Sequence, residues 1–312
     1  MIFGAHIGIA KGLGQAAVSG RRIGCDAIQI FSKSPQMWSG PPTPPEGARA
    51  FSEAVAREGI RATAIHHGYL ANLGSPKPEG LLRSRQALVD ELHRAALLGV
   101  DALILHPGAH LGEGLDPGIA RIAESLNEAF RSFDGFRGRL LLENAAGQGS
   151  TIGSSFSELR GILNGVAERQ RVGVALDTCH LFAAGDDFRT PETYGALMDR
   201  LASEVGLEEV RAFHLNDAKA PLGSHRDRHE NIGKGLIGLD GFRQFAQDRR
   251  WEAHPGYLET PMAAKDEEYE TYRVDLEALR SLGGRPAVPP ASAASARKSR
   301  ASPTRKGRGS KD

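Results

Sequence analysis

Residues 81–106 read LLRSRQALVDELHRAALLGVDALILH, and the fold is decided by how this stretch is understood. Its first part puts Leu81, Leu82, Leu88, Val89, Leu92, Ala95, Ala96 and Leu98 at helical spacing, which predicts a helix with one apolar side. Its last part, Ala102–His106, is a short apolar run that stops on a histidine. Strands that are apolar on both faces belong in parallel sheets covered by helices. The same unit recurs along the chain. Further runs lie at Ile2–His6, Ala27–Phe31, Arg61–His66, Leu140–Glu143, Gly173–Asp177, Val210–His214 and Gly256–Glu259, making eight with Ala102–His106. Helical patterns separate them at Glu79–Leu98, Pro117–Phe133, Ser155–Arg169, Pro191–Val205 and Asp266–Leu282. Eight alternating units predict an α/β chain folded as a single (β/α)8 TIM barrel over residues 1–284. A six-stranded open sheet would leave two runs unplaced.

Composition is that of an ordinary globular protein, 40% apolar and 25% charged, and 312 residues suffice for one large core. There is no apolar run of the ~18 residues a membrane span needs, so no membrane partner is expected. The N-terminus, MIFGAHIGIAKG, has no basic region or cleavage signal, and a cytoplasmic, monomeric protein is expected. Cys25 and Cys179 lie in apolar contexts without a spaced framework and are read as reduced thiols. The net charge of +1 hides an asymmetry: residues 285–312 carry eight basic side chains and one acidic, net +7, leaving −6 for the rest. That Pro/Ala/Ser/Lys/Arg-rich segment has too few apolar residues to order itself, and is expected to be a disordered basic C-terminal tail. Its charge suits either a tether for a polyanion or a solubilising extension.

The runs end in His6, His66, His106, Glu143, Asp177, His214 and Glu259; only the second, ending at Phe31–Ser32, lacks such a group. His, Asp and Glu make up about one residue in six of the chain, so seven of eight strand ends is a strong excess. In a barrel of this kind these ends converge on one rim, where functional groups sit. Ionisable groups crowded together need compensation, which metal ions provide. Imidazole and carboxylate donors suit Zn²⁺, with Mn²⁺ or Fe²⁺ as alternatives. One zinc uses three protein ligands, so this many donors predict several ions. His180, just past the sixth run, and the pair Asp227 and His229 after the seventh add donors. Glycines in HPGAH (106–110), ENAAGQGS (143–150) and NIGKG (231–235) fit tight turns beside ligands, and their amides are candidates to face a phosphate.

The ordered set GAHIG, HHGYLANLG, LHPGAH, LLLENAAGQGSTIG, VALDTCHLFAAGDDFRT, AFHLNDAK, DRHENIGKG and YLETP resembles endonuclease IV, the zinc-dependent AP endonuclease family, from Phe3 to about Leu282. The resemblance implies three Zn²⁺ ions. His66 and His106 match ligands of the first, and Glu143 bridges it to the second. Asp177, His214 and Glu259 complete the second, while His180, Asp227 and His229 match the third. It also implies a catalytic part for Glu143 and an endonuclease acting on double-stranded DNA. Hydrolysis would fall 5′ to an abasic site, leaving a 3′-hydroxyl and a 5′-deoxyribose phosphate, and blocked 3′ ends would also be processed. Three divalent ions would offset the −6 of the barrel.

The family flips the abasic nucleotide using side chains from the second and third loops. Tyr69 and Leu70 match the inserting position of the third loop. In the second, FSKSPQMW, Gln36 stands where the family usually has an intercalating arginine, and Met37 or Trp38 is the candidate apolar wedge. Lys33, Arg226, Arg228 and Lys234 are candidate phosphate contacts. His6 is read as a support for the site or a core histidine, His110 as orienting its turn, and His67, His93, His225 and His254 as structural or surface groups. Cys179 is expected to pack under the site, and GPPTPPEG (40–47) to form a rigid loop. Two rivals are a sugar isomerase or epimerase of the xylose-isomerase-like barrels and a silent DNA-binding protein with structural metals. The third donor set argues against the first, the complete ligand set against the second.

Overall fold

The structure is a computed structural model that describes residues 1–283. The segment 285–312, expected as a disordered tail, lies outside the described residues. Eight parallel strands close into a barrel: β1 (Ile2–His6), β2 (Ala27–Ile30), β3 (Ala62–His66), β4 (Ala102–Leu105), β5 (Arg139–Glu143), β6 (Val172–Asp177), β7 (Val210–His214) and β8 (Pro255–Leu258). Each pairs with its sequence neighbours, and β8 closes onto β1, with Ile2 opposite Pro255 and Ala5 opposite Leu258. Helices α1 (Leu13–Arg22), α2 (Pro45–Glu58), α3 (Pro78–Leu98), α4 (Leu115–Ser132), α5 (Phe156–Asn164), α6 (Thr178–Ala184), α7 (Pro191–Glu204), α8 (Gly238–Gln247) and α9 (Glu270–Leu282) surround it. No helix among the described residues is long and apolar enough to cross a membrane.

Alternation along the strands divides the core in two. Residues such as Ile28, Ile65, Leu103, Leu142, Val174 and Phe213 face out into a large cluster shared with the helices. Facing in are Ile2, Ala27, Ala64, Ile104, Leu141, Ala175, Ala212 and Tyr257. The same two-residue period carries the inward series to His6, Gln29, His66, His106, Glu143, Asp177, His214 and Glu259. The donors predicted at the strand ends are therefore those whose parity aims them into the mouth.

Two predicted helices differ at their ends. The expected helix Ser155–Arg169 stops at Asn164, with Gly165 as its C-cap, and a short 3-10 turn at Arg169–Arg171 leads into β6. The last begins at Glu270 rather than Asp266 because the Asp266 carboxylate accepts the N–H groups of Glu270 (2.8 Å) and Thr271 (2.7 Å). It caps the first turn instead of joining it.

Candidate metal centre

Among the described residues five overlapping sets of donors have their ligand atoms within 4.8 Å of one another. Three correspond to the sets expected from the resemblance: His66, His106 and Glu143; Glu143, Asp177, His214 and Glu259; and His180, Asp227 and His229; the other two, His66 with His214 and Glu259 and Asp177 with Cys179 and His229, cut across them. The first two sets come straight from strand ends. The third needs two local devices. Asp177 ends β6 and caps α6, its Oδ1 accepting the N–H of His180 at 2.8 Å, so the helix starts by turning His180 over the mouth. Residues Asp217–Ala218 and His229–Glu230 form an antiparallel ribbon that returns His229 to the same place. A second ribbon, Gly108–Ala109 with Thr151–Ile152, shapes the HPG turn. Gly108 has φ 128°, and a Cβ there would lie 2.4 Å from Asn72 Oδ1, so only glycine fits.

Glu143 is buried at the centre. Its Oε2 is 3.1 Å from His66 Nε2 and 3.7 Å from His106 Nε2; its Oε1 is 2.9 Å from His214 Nδ1 and 3.3 Å from His180 Nδ1. Asp227 reaches His180 Nε2 at 3.2 Å and His229 Nε2 at 3.1 Å. Burial pushes the Glu143 carboxyl up, but the charges of His106 and His214 and a hydrogen bond from His214 hold it well below the usual range. Conversely, burial pulls His214 and His229 down, and the facing carboxylates outweigh it and raise both to about 9.

The residues fit divalent cations. His66 Nδ1 donates to the His67 carbonyl (2.7 Å), His180 Nδ1 to that of Asn144 (2.9 Å) and His229 Nδ1 to that of Glu259 (3.1 Å). Carbonyl oxygens only accept, so these nitrogens carry hydrogens, and each Nε2 is left to offer its lone pair to a bound cation that displaces the second proton. Two close approaches are not hydrogen bonds: His106 stands too far from Glu143, and His229 Nε2 is buried without an aligned partner among the described residues. Such donors are spaced like ligands sharing an ion.

Supporting groups surround the donors. His214 Nε2 donates to Gln29 Oε1 at 2.8 Å, and Gln29 Nε2 donates to Glu259 at 2.6 Å and lies 3.0 Å from His6 Nδ1. His6 is thus a support, 3.4 Å from Glu259. Asn216 donates to Asp177 Oδ2 at 2.7 Å and accepts the Glu259 N–H at 2.9 Å; Asn144 accepts the Asp177 N–H at 2.6 Å. Gln29, Asn144 and Asn216 were missed in the sequence. Gln29→Leu is expected to weaken metal affinity or activity about 10- to 100-fold with the fold kept, as loss of a ligand-orienting group does. Titration against a competing chelator measures it; unchanged affinity and activity would count against the orienting role.

Other expectations divide. Tyr69 and Leu70 are exposed on the third loop, and Tyr69 N–H donates to the Pro35 carbonyl at 3.2 Å, joining that loop to the second. Gln36 and Met37 are exposed there, with Trp38 half-buried. Lys33 corrects its expectation: it is buried and ion-paired with Glu91, with Asp90 at 3.2 Å, so its charge is spent on α3 and not available to a phosphate. Arg226, Arg228 and Lys234 are exposed, Arg228 donating to the Asp227 carbonyl at 2.6 Å. The NIGKG amides are corrected likewise. Gly233 and Gly235 N–H groups turn onto Asp217 Oδ2 at 2.9 and 3.0 Å, and the following Ile237 N–H onto its Oδ1 at 3.0 Å. His110 Nδ1 accepts the N–H groups of Gly112 and Gly114, His93 stacks on Phe133 at 3.8 Å, and His254 packs on Trp251. Both cysteines are free and buried; Cys179 lies beside Asp177 and His229, its thiol pushed up to about 12 by burial and by Asp177.

A closed parallel barrel with clustered imidazoles and carboxylates at the C-terminal mouth of its strands defines the class: a TIM-barrel protein built to bind metal. A family model described as xylose isomerase-like TIM barrel matches residues 19–282. A relative named "Probable endonuclease 4" from Chloroflexus aurantiacus is 40% identical over 280 residues, covering 90% of this chain and 97% of that one. The crystal structure of endonuclease IV from Thermus thermophilus superposes with a TM-score of 0.78 at 36% identity, covering 90% of this chain and 100% of that one. D-psicose 3-epimerase, at 14% identity and a TM-score of 0.67, covers 91% of this chain and 100% of its own, and shares the fold alone. The chain belongs to the endonuclease IV family of DNA-repair AP endonucleases.

Proposed function

We propose that the protein hydrolyses the phosphodiester 5′ to abasic sites in double-stranded DNA with three zinc ions, leaving a 3′-hydroxyl and a 5′-deoxyribose phosphate, and also clears blocked 3′ ends. The observation that supports it is the linkage of three donor sets through Glu143, Asp177 and His180 in one mouth. His66, His106 and Glu143 would hold the first ion, Glu143, Asp177, His214 and Glu259 the second, and His180, Asp227 and His229 the third. Ions so held would acidify water near neutral pH and stabilise negative charge on the phosphodiester and the leaving oxygen.

The chain's own residues hold this arrangement rigid. Gln29, Asn144 and Asn216 fix the direction of His214, Asp177 and Glu259, and the backbone carbonyls of His67, Asn144 and Glu259 fix three imidazole rings. Tyr69 and Leu70, exposed above the mouth, suit insertion into a duplex opened at the lesion, with Met37 beside them where Gln36 offers no cation. The test is metal analysis of the purified protein combined with incision of an oligonucleotide carrying one tetrahydrofuran abasic analogue. Three zincs per chain and a cut 5′ to the analogue are expected; metal-loaded protein that never nicks it would sink the reading.

The +7 of residues 285–312 gives a further prediction. Their removal is expected to leave the cleavage step intact and to weaken DNA binding mainly at low salt, because counterion release scales with the phosphates neutralised. Binding measured against salt concentration with both chains checks this; identical salt slopes would exclude a tether.

A further inference from the structure

The barrel has a second mouth. At the N-terminal ends of the strands lies a cavity of about 540 Å³, walled by Tyr257, Leu141 and Phe136 and by the small side chains Ala62 and Ala102. Three arginines line it, the exposed Arg137 at its edge and Arg139 and Arg211 from the strands. Arg139 opens β5 with the parity of Leu141 and Glu143, hence on the lumen side. Arg211 gets there through a bulge: Val174 pairs with Val210 and the next residue, Ala175, with Ala212, so Arg211 is the extra residue of β7. Bulges at barrel rims re-aim side chains in this way. The strand between them makes room, since a Cβ on Gly173 would lie 3.0 Å from Arg211 Cγ and 3.0 Å from Leu141 Cδ2.

Among the described residues neither the Arg139 nor the Arg211 guanidinium has a carboxylate within ion-pair distance. Glu209 is taken by Arg169 at 2.8 Å, and the Asp101 carboxylate in the cavity wall accepts from Thr63 N (2.8 Å) and Oγ1 (3.0 Å). Arg211 Nε is buried without a hydrogen-bond partner among the described residues. Burial first and the Arg211 charge second hold Arg139 below the usual range, with Glu209 opposing. Both arginines are half-buried, and the one buried N–H left without a partner is that of Arg211; such a donor is costly, and a bound anion would remove that cost.

We propose that this mouth is a binding site for a small molecule bearing a phosphate group, gripped by Arg139 and Arg211. Guanidinium forks match the oxygens of a phosphate dianion, and the aromatic and aliphatic walls take the organic remainder. Arg139 and Glu143 are four residues apart on one strand, roughly 13 Å, so a phosphate held here is not a DNA phosphate held at the metal rim.

The test titrates inorganic phosphate into metal-loaded full-length protein, comparing wild type with Arg211→Met and Arg139→Met by calorimetry and thermal melting. Each substitution is expected to raise the phosphate Kd by about tenfold or more, the loss of at least one charge-assisted pair, while abasic-site incision stays at the wild-type rate. The melting temperatures should cross: without phosphate, Arg211→Met melts at or above wild type because a repelling charge is gone, and in saturating phosphate it melts below. Arg211→Lys, which keeps the charge but not the fork, should bind with intermediate affinity and serves if the methionine variant fails to fold. Equal phosphate affinity in all the proteins, as binding at the metal rim alone would give, overturns the proposal.

Discussion

Glu143→Ala is expected to abolish incision, a loss of about 10³-fold or more, at least the cost of removing one preorganised electrostatic group from an active site. The size follows from its position. Its two oxygens face His66 and His106 on one side and His214 and His180 on the other, so one side chain serves two donor sets. Its loss would take a donor from both and leave four imidazoles without their shared carboxylate. The fold should survive, because the large core lies between barrel and helices, built from the outward residues Leu140 and Leu142 on the same strand. Metal content, circular dichroism and incision of the tetrahydrofuran oligonucleotide measured on the same preparation check this. Full activity in the variant would contradict the shared role.

The barrel and its rim were legible because both obey short periods. A parallel strand buried on both faces is a continuous apolar run, and the residue where it stops is a donor: His66 after ATAI, Glu143 after LLL, Asp177 after VAL. Grouping the donors into three sets was not legible from spacing, since Glu143 and His214 are 71 residues apart, and it rested on the family resemblance. Gln29 was missed because it sits within AIQI and not at its end. Its signal was parity, since a polar side chain turned into a barrel lumen must find partners there. Lys33 was misread for the opposite reason. A lysine beside a Pro-rich loop reads as exposed, and its partner Glu91 is 58 residues away on a helix, a pairing that no local pattern announces. The NIGKG amides failed likewise, for Asp217 closes that turn from 16 residues upstream.

Asp227→Ala separates the third donor set from the other two. Asp227 lies in the loop before the His229 ribbon, its side chain 38% exposed, and among the described residues its carboxylate alone touches both His180 Nε2 and His229 Nε2. Since no core packing depends on it, the substitution acts on the site without acting on the barrel. The expected result is one zinc fewer per chain, unchanged circular dichroism and incision lower by about 10²- to 10³-fold, the usual cost of one lost electrostatic stabiliser. The contrast with Glu143→Ala carries the inference: one carboxylate belongs to a single set and should cost a single ion, the other to two sets and should cost more. The third set is still not independent of the other two, because His180 Nδ1 stands 3.3 Å from Glu143 Oε1. A double variant should therefore lose less than the product of the two single losses, as residues in one network do. Retention of all three zincs by Asp227→Ala would remove Asp227 from the ligands, and strict multiplicativity of the two losses would mean that the sets act as separate sites.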